Sequence, residues 1–334
     1  MRKNYLLCKL GVLALFAVAF QSCKKENGID NDTVIKKPYG MYIGDNLGAL
    51  YNTNTGDSLK LVFPPDGFSP RSIVTSGMNI LWVKYNTHLS EDNGLNFNPT
   101  DLTVLKGLPW QPIMLNVDDQ NRVYLVSSDP NGIILSDDHG KHWTSDTMWD
   151  AGITDRLVTS LVETKNKTMY AHNFVTNKLY KRISKTSPWT EVAVVTSLPT
   201  TGAFYLAHIN DALLLTDYTG ANGVWHSEDG GLNWAQYNGL PATELMSTDA
   251  PFDNVVLVGT DSMGVYRLAG GSFVPATGLT QYTSVRAITG KNNIYKNDKE
   301  KQYYYLATST GLYRSEDGGQ TWTMTITGNF SAIF

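Results

Sequence analysis

Four carboxylates, Asp155, Asp217, Glu244 and Asp261, and three arginines, Arg71, Arg156 and Arg286, could act on a ligand. Two carboxyl groups about 5 to 10 Å apart hydrolyse glycosidic bonds, one as acid and the other as base or nucleophile. Arginines grip carboxylates through paired N–H donors. Trp110, Gln111, Tyr218 and Tyr282 add aromatic and amide groups suited to a sugar or a peptide. The six histidines show no metal-ligand spacing, and His139 and His142 sit inside one turn. With no nucleophile motif and no phosphate-cradling glycine loop, no cofactor is expected.

What must position these residues is announced by a repeated turn. "LSDDHGKHW", "HSEDGGLNW" and "RSEDGGQTW" share one frame, filled by Ser136, Asp138, Gly140 and Trp143, by Ser227, Asp229, Gly231 and Trp234, and by Ser315, Asp317, Gly319 and Trp322. "LSEDNGLNF" repeats it with Ser90, Asp92, Gly94 and Phe97, and "YNTNTGDSL" more weakly with Asn52, Asn54, Gly56 and Leu59. Asp92 and Asp138 are 46 residues apart, whereas the next two gaps, to Asp229 and to Asp317, are 91 and 88, each two periods. Degenerate copies fill them, "ISKTSPW" ending at Trp189 and "RLAGGSF" ending at Phe273.

Seven anchors, at 59, 97, 143, 189, 234, 273 and 322, predict seven blades of four antiparallel strands each. The fold class is therefore all-β, a single seven-bladed β-propeller. The last blade shows the order, "SVRAITG", "QYYYLAT", "GLYRS" and "TWTMTI", strands A to D. Residues 38–63 supply strands B, C and D without an A, and "GNFSAIF" at 328–334 is expected to pair there and close the ring. In the turn, Ser and Asp accept backbone N–H bonds, Gly takes positive φ, and the Trp packs between blades.

This frame resembles the Asp-box (BNR) repeat proteins, which include sialidases, xyloglucanases, sortilin-type receptors and a photosystem II assembly factor family. The resemblance covers residues 38–334. It implies that the Asp-box turn lies on the side away from the substrate cleft, so that Asp92, Asp138, Asp229 and Asp317 are structural.

Ligand-binding residues are then expected on the opposite rim, in the loops from D to A and from B to C. The residues just before each strand A are Arg71, Gln111, Arg156, Phe204, Glu244, Ser284 and Phe330, with Trp110, Asp155 and Tyr282 close by. Strand B ends near Asp45, Tyr85, Asp129, His172, Asn173, Asp217, Tyr218 and Asp261. For Asp45, Asp129, Asp217 and Asp261 the bland alternative is a cap on the B to C turn. Arg71 and Arg156 could instead be solvated, or paired with Glu244 or Asp155, and Trp110, between Pro109 and Pro112, is a stacking platform or a plug.

The N-terminus carries Arg2, Lys3 and Lys9 before "GVLALFAVAF", too short for a bilayer span, and reads as a signal peptide over residues 1–22. Ser22 and Cys23 resemble the cleavage box of bacterial lipoproteins, which makes Cys23 the lipidated residue. Residues 23–37 form a polar tether, and Lys24, Lys25 and Glu26 resemble a Bacteroidota surface-export signal, so an outer-membrane, surface-exposed lipoprotein is expected. The mature chain has no second thiol. Cleavage changes 27 basic and 31 acidic residues to 24 and 31, a balance of −7 that speaks against nucleic acid as partner.

A sialidase of this superfamily uses three arginines, a Tyr–Glu pair and an Asp. Its Arg-Ile-Pro segment is absent here, and Arg182, Arg267 and Arg314 lie at the Asp-box end of strand C while Arg122 lies in an A to B turn. Xyloglucanases pair two propellers. The lipobox and the lack of a photosynthetic signal weigh against the assembly-factor reading. The expectation is a lipid-anchored propeller that binds a glycan or protein without catalysis, the alternative a glycoside hydrolase.

Overall fold

The structure, a computed structural model, describes residues 33–34, 41–84, 87–92, 94–102, 112–118, 120–127, 133–147, 158–173, 176–194, 198–199, 204–295 and 300–334. Seven antiparallel sheets of four blade strands each follow one another around a ring. Counting blades from the one that holds Met41–Asp45, the innermost strands are Phe330–Ile333, Ser72–Ser76, Pro112–Val117, Ser160–Glu163, Phe204–Ile209, Leu245–Asp249 and Val285–Tyr295. The expected closure is present. Ile43 faces Ile333 and Gly44 faces Ala332, and the Tyr42 and Phe334 backbones exchange two hydrogen bonds of 3.0 Å.

Seven apolar clusters fill the seven contacts between blades, and each holds or is packed by one anchor. Trp143 packs between blades 2 and 3, Trp189 between 3 and 4, Trp234 between 4 and 5, Phe273 between 5 and 6, and Trp322 between 6 and 7. Leu59 and Phe97, partly buried, serve the contacts on either side of blade 1. One bulky side chain at a fixed offset from each turn thus seals each interface.

The acidic turn is a self-contained hydrogen-bonded unit. In blade 5 the Ser227 hydroxyl donates to Asp229 and accepts from the Gly231 N–H, both at 2.9 Å, while the Asn233 N–H donates to Asp229 at 2.9 Å. Ser90, Ser136 and Ser315 make the same bonds. The Trp143, Trp234 and Trp322 indoles donate to the carbonyls of Gly140, Gly231 and Gly319. Gly140 and Gly231 have φ of 88° and 90°, and an added Cβ would stand 2.2 and 2.3 Å from leucines of the preceding blade, so glycine is required twice over.

These bonds hold the Asp229 carboxyl down to about 2, the Asn233 backbone N–H contributing most, and Asp138 to about 2, where the His142 backbone and ring outweigh burial. An unfolded Asp titrates near about 3.9, so the stabilisation is complete above that value and vanishes as the pH falls towards 2. Acid titration of wild type and Asp229→Asn should show their stabilities converging across that window. A gap unchanged at pH 2 would mean that the charge is not its source.

Three copies depart from the frame. Blade 6 replaces the acid with a two-residue hairpin at Gly270 and Gly271, φ 59° and 83°. Blade 4 closes with Ser187 N–H on the Ser184 carbonyl at 3.1 Å. In blade 1 the Gly56 N–H is held by Thr53 Oγ1 at 3.0 Å, so Thr53, and not Asn52, takes the serine's part. Within the expected tether, Thr33–Val34 pairs with Ile294 and Tyr295, on the long hairpin by which blade 7 extends beyond the turns.

Candidate functional site

The innermost strands of six blades, with Thr159 just before that of blade 4, line a central channel of about 780 Å³. A to B turns share one face with the acidic turns, as shown by Ser76 Oγ at 2.8 Å from His139 Nδ1 and by Asn79 Nδ2 donating to the His139 carbonyl at 3.1 Å. The other face, the mouth, gathers the B to C turns and the D to A loops, joined by Leu245 N–H on Tyr218 O and Asp261 N–H on Glu244 O, both 3.0 Å.

Strand A begins where expected after Arg71, Glu244 and Ser284, but at Phe204 and Phe330 themselves and at Ser160, four residues beyond Arg156. Trp110, Gln111, Asp155, Arg156, Tyr85 and Asp129 lie outside the described residues. Arg71 is exposed at the channel mouth on blade 2. On blade 7, Arg286 lines the channel and donates from Nη1 to Asn329 Oδ1 at 2.5 Å and to the Phe330 carbonyl at 3.4 Å. Two guanidinium groups thus flank the innermost strand of blade 1.

Opposite them, between blades 5 and 6, Tyr218 and Glu244 come together. The Tyr218 phenol is raised first by burial, then by the charge and hydrogen bond of Glu244 and the charge of Asp261. Glu244 is therefore partnered by Tyr218 and not by Arg71. Both Glu244 and Asp261 are exposed.

Asp217 is not a ligand group. It is fully buried, and its carboxylate accepts bonds from Thr219 N–H and Oγ1 and from Asn222 N–H and Nδ2. Asp45 likewise caps its turn through Leu47 and Ala49 N–H groups, 2.9 Å each. Asp261 differs because Thr260 Oγ1 does the capping, accepting from Met263 N–H at 2.9 Å, which leaves the Asp261 carboxylate on the surface. Blade 7 uses Thr308 in the same way.

The structure adds residues that the pattern of strands did not single out. Leu47 and Phe68 are exposed beside each other, since Asp66 and Gly67 N–H both donate to the Leu47 carbonyl. Met263 joins Tyr282 along a separate groove of about 480 Å³ between blades 6 and 7. At the far end of the channel Asp249 is pushed up to about 6 by burial, with the Asp253 charge adding to it. A "DSMG" turn and a "DGFSP" loop next to strand A were visible in the sequence, but their exposure was not.

Glu244 and Asp249 bracket a five-residue strand, so along it they are roughly 16 Å apart, beyond the spacing of a hydrolytic pair. Glu244 with Asp261 is the pair brought close, yet both are solvated, unlike the desolvated acid that glycoside hydrolysis uses.

No protein-family model and no curated protein matches the sequence. Among solved structures the chain is similar to YCF48 from Cyanidioschyzon merolae, TM-score 0.58 at 13% identity over 79% of this chain and 87% of that one. YCF48 bound to a D1 peptide gives 0.56 at 16% identity over 76% and 81%. Selenomethionine-substituted virginiamycin B lyase from Staphylococcus aureus gives 0.56 at 11% over 78% and 94%. At these identities the likeness is one of fold, and the chain is a seven-bladed β-propeller.

Proposed function

We propose that this chain is an exported, lipid-anchored propeller of the Asp-box type that binds a protein or glycan on its channel-mouth face without catalysis. The observation that carries the reading is the contrast between the two faces. On one, each acidic turn commits its carboxylate to its own backbone. On the other, Arg71 and Arg286 line an open channel, Tyr282 lines a separate groove, and Tyr218 meets Glu244 in the loops between blades 5 and 6. Loops carried on a rigid ring are where propellers place recognition. The fold-level likeness to YCF48 bound to a D1 peptide supports a peptide ligand by analogy.

The hydrolase alternative rests on Glu244 and Asp261. A panel of glycosidic substrates is expected to give no turnover with wild type; turnover that Glu244→Gln abolishes would replace the binding reading with the hydrolase. Cys23→Ala should release the protein from the membrane fraction, and retention there would remove the anchor from the proposal.

A further inference from the structure

The groove between blades 6 and 7 contains a residue the fold does not ask for. Tyr282 has φ of 62°, in the left-handed region that suits glycine, and is 75% exposed. A bulky side chain held there is strained, and strain kept at an exposed site points to use by a ligand. Met263, 54% exposed, faces the same groove.

The loop bearing Tyr282 is fixed beforehand. Thr280 Oγ1 lies 2.8 Å from Thr283 Oγ1 and 3.1 Å from the Tyr313 hydroxyl, and Thr283 Oγ1 donates to the Thr280 carbonyl at 2.7 Å. An ordered loop loses little entropy when a ligand arrives. The chemistry of the walls narrows the ligand. Met263, Ala276 and Leu279 offer methyl and thioether surface, Ser262, Thr277, Thr280 and Gln281 add hydroxyl and amide groups, and no charged side chain lines the groove. The thioether adapts readily to an apolar side chain, and the hydroxyl and amide groups can meet the backbone of the segment that carries it.

Beside the groove, on the blade 5 side, stand Tyr218, Glu244 and Asp261. Both carboxylates are exposed, and neither is in an ion pair among the described residues. We infer that this groove and the acidic, aromatic patch next to it form one subsite for a protein segment that sets an apolar side chain beside a Lys or Arg. The apolar group enters between Met263 and Tyr282. The cation meets Glu244 and Asp261 and the tyrosine faces. The inference rests on the mouth face being the ligand face and names its ligand.

The test uses the mature chain on an array of random octapeptides, sorted by whether Lys or Arg adjoins Leu, Ile, Phe or Met. Basic–apolar peptides should be retained over acidic–apolar ones, with retention falling as salt rises. Tyr282→Gly and the pair Glu244→Gln with Asp261→Asn should each weaken retention about tenfold. Tyr282→Gly should at the same time keep or raise the melting temperature, because glycine relieves the turn. Relief of backbone strain alone would raise stability and leave retention untouched. Leu95→Ala, on the acidic-turn face, is the unchanged control.

Equal retention of acidic and basic peptides, or undiminished retention by Tyr282→Gly, overturns the inference. If Arg286→Ala weakens binding while Tyr282→Gly does not, only the groove falls. If neither does, the mouth-face reading falls with it. Binding of a glycan array through Tyr282 with no peptide retained overturns the choice of ligand and leaves the face standing.

Discussion

A chain cut after Gly328 is expected to lose its fold, although it loses only six residues of the sequence. Those residues contain the innermost strand of blade 1, with Phe330, Ala332 and Ile333 buried. Removing Phe and Ile side chains from a core costs about 1.5 to 3 kcal/mol each, and the ladder to Met41–Asp45 goes with them. The sum is about 5 kcal/mol or more, within the whole stability of a typical domain. The same cut bares the edge of Met41–Asp45, which invites strand pairing between molecules. Circular dichroism should show an early or absent melting transition, and light scattering should rise. An unchanged melting temperature would mean that the ring is held by other contacts.

Asp146→Ala should be the most damaging single substitution at the contact of blades 3 and 4. The Arg182 side chain is fully buried, its Nη1 2.9 Å from Asp146 Oδ2, and that oxygen also accepts the Trp189 indole N–H at 3.0 Å. The guanidinium lies over the Tyr124 and Trp189 rings. Removing the carboxylate leaves a buried charge with too few acceptors, at a cost of about 3 to 5 kcal/mol. Replacing both members, Asp146→Leu with Arg182→Met, should restore most of that loss, because the desolvation penalty goes with the charges. The exposed side of the comparison is Asp137→Ala. Its partner Arg122 keeps access to water, so the loss should stay within about 1 kcal/mol. Urea unfolding of the four chains measures all three differences, and a double variant no better than Asp146→Ala would contradict the account.

The ring was legible because its constraints are periodic. Each blade contact needs a large side chain at one offset from a turn, so Trp189 and Phe273 could be found even where the acid had gone. The missing strand was legible by subtraction, and Ile43 against Ile333 confirms it. The mouth was harder because its residues obey no period. Asp217 and Asp261 occupy equivalent places, yet one is enclosed by Thr219 and Asn222 and the other is displaced from that role by Thr260. Sequence position alone carries no sign of which hydroxyl wins the turn. Arg286 stands inside a strand in the sequence, and only the fold brings Asn329, next to blade 1, to hold its guanidinium. Tyr282 shows in the sequence only its place before a strand; its backbone strain shows only in the fold.

Closure also sets an order in time. Residue 43 waits for residue 333, 290 positions later, so a chain emerging from its N-terminus carries an incomplete first sheet until residue 333 is available. Contacts this distant in sequence form late and slow the final step of folding. Until then every partial ring has an open strand edge, the state most exposed to mispairing and to chaperones. If the chain is exported as proposed, the lateness has a use: the sheet that locks the ring is still open while the preceding blades are threaded, and what is unlocked can be pulled straight.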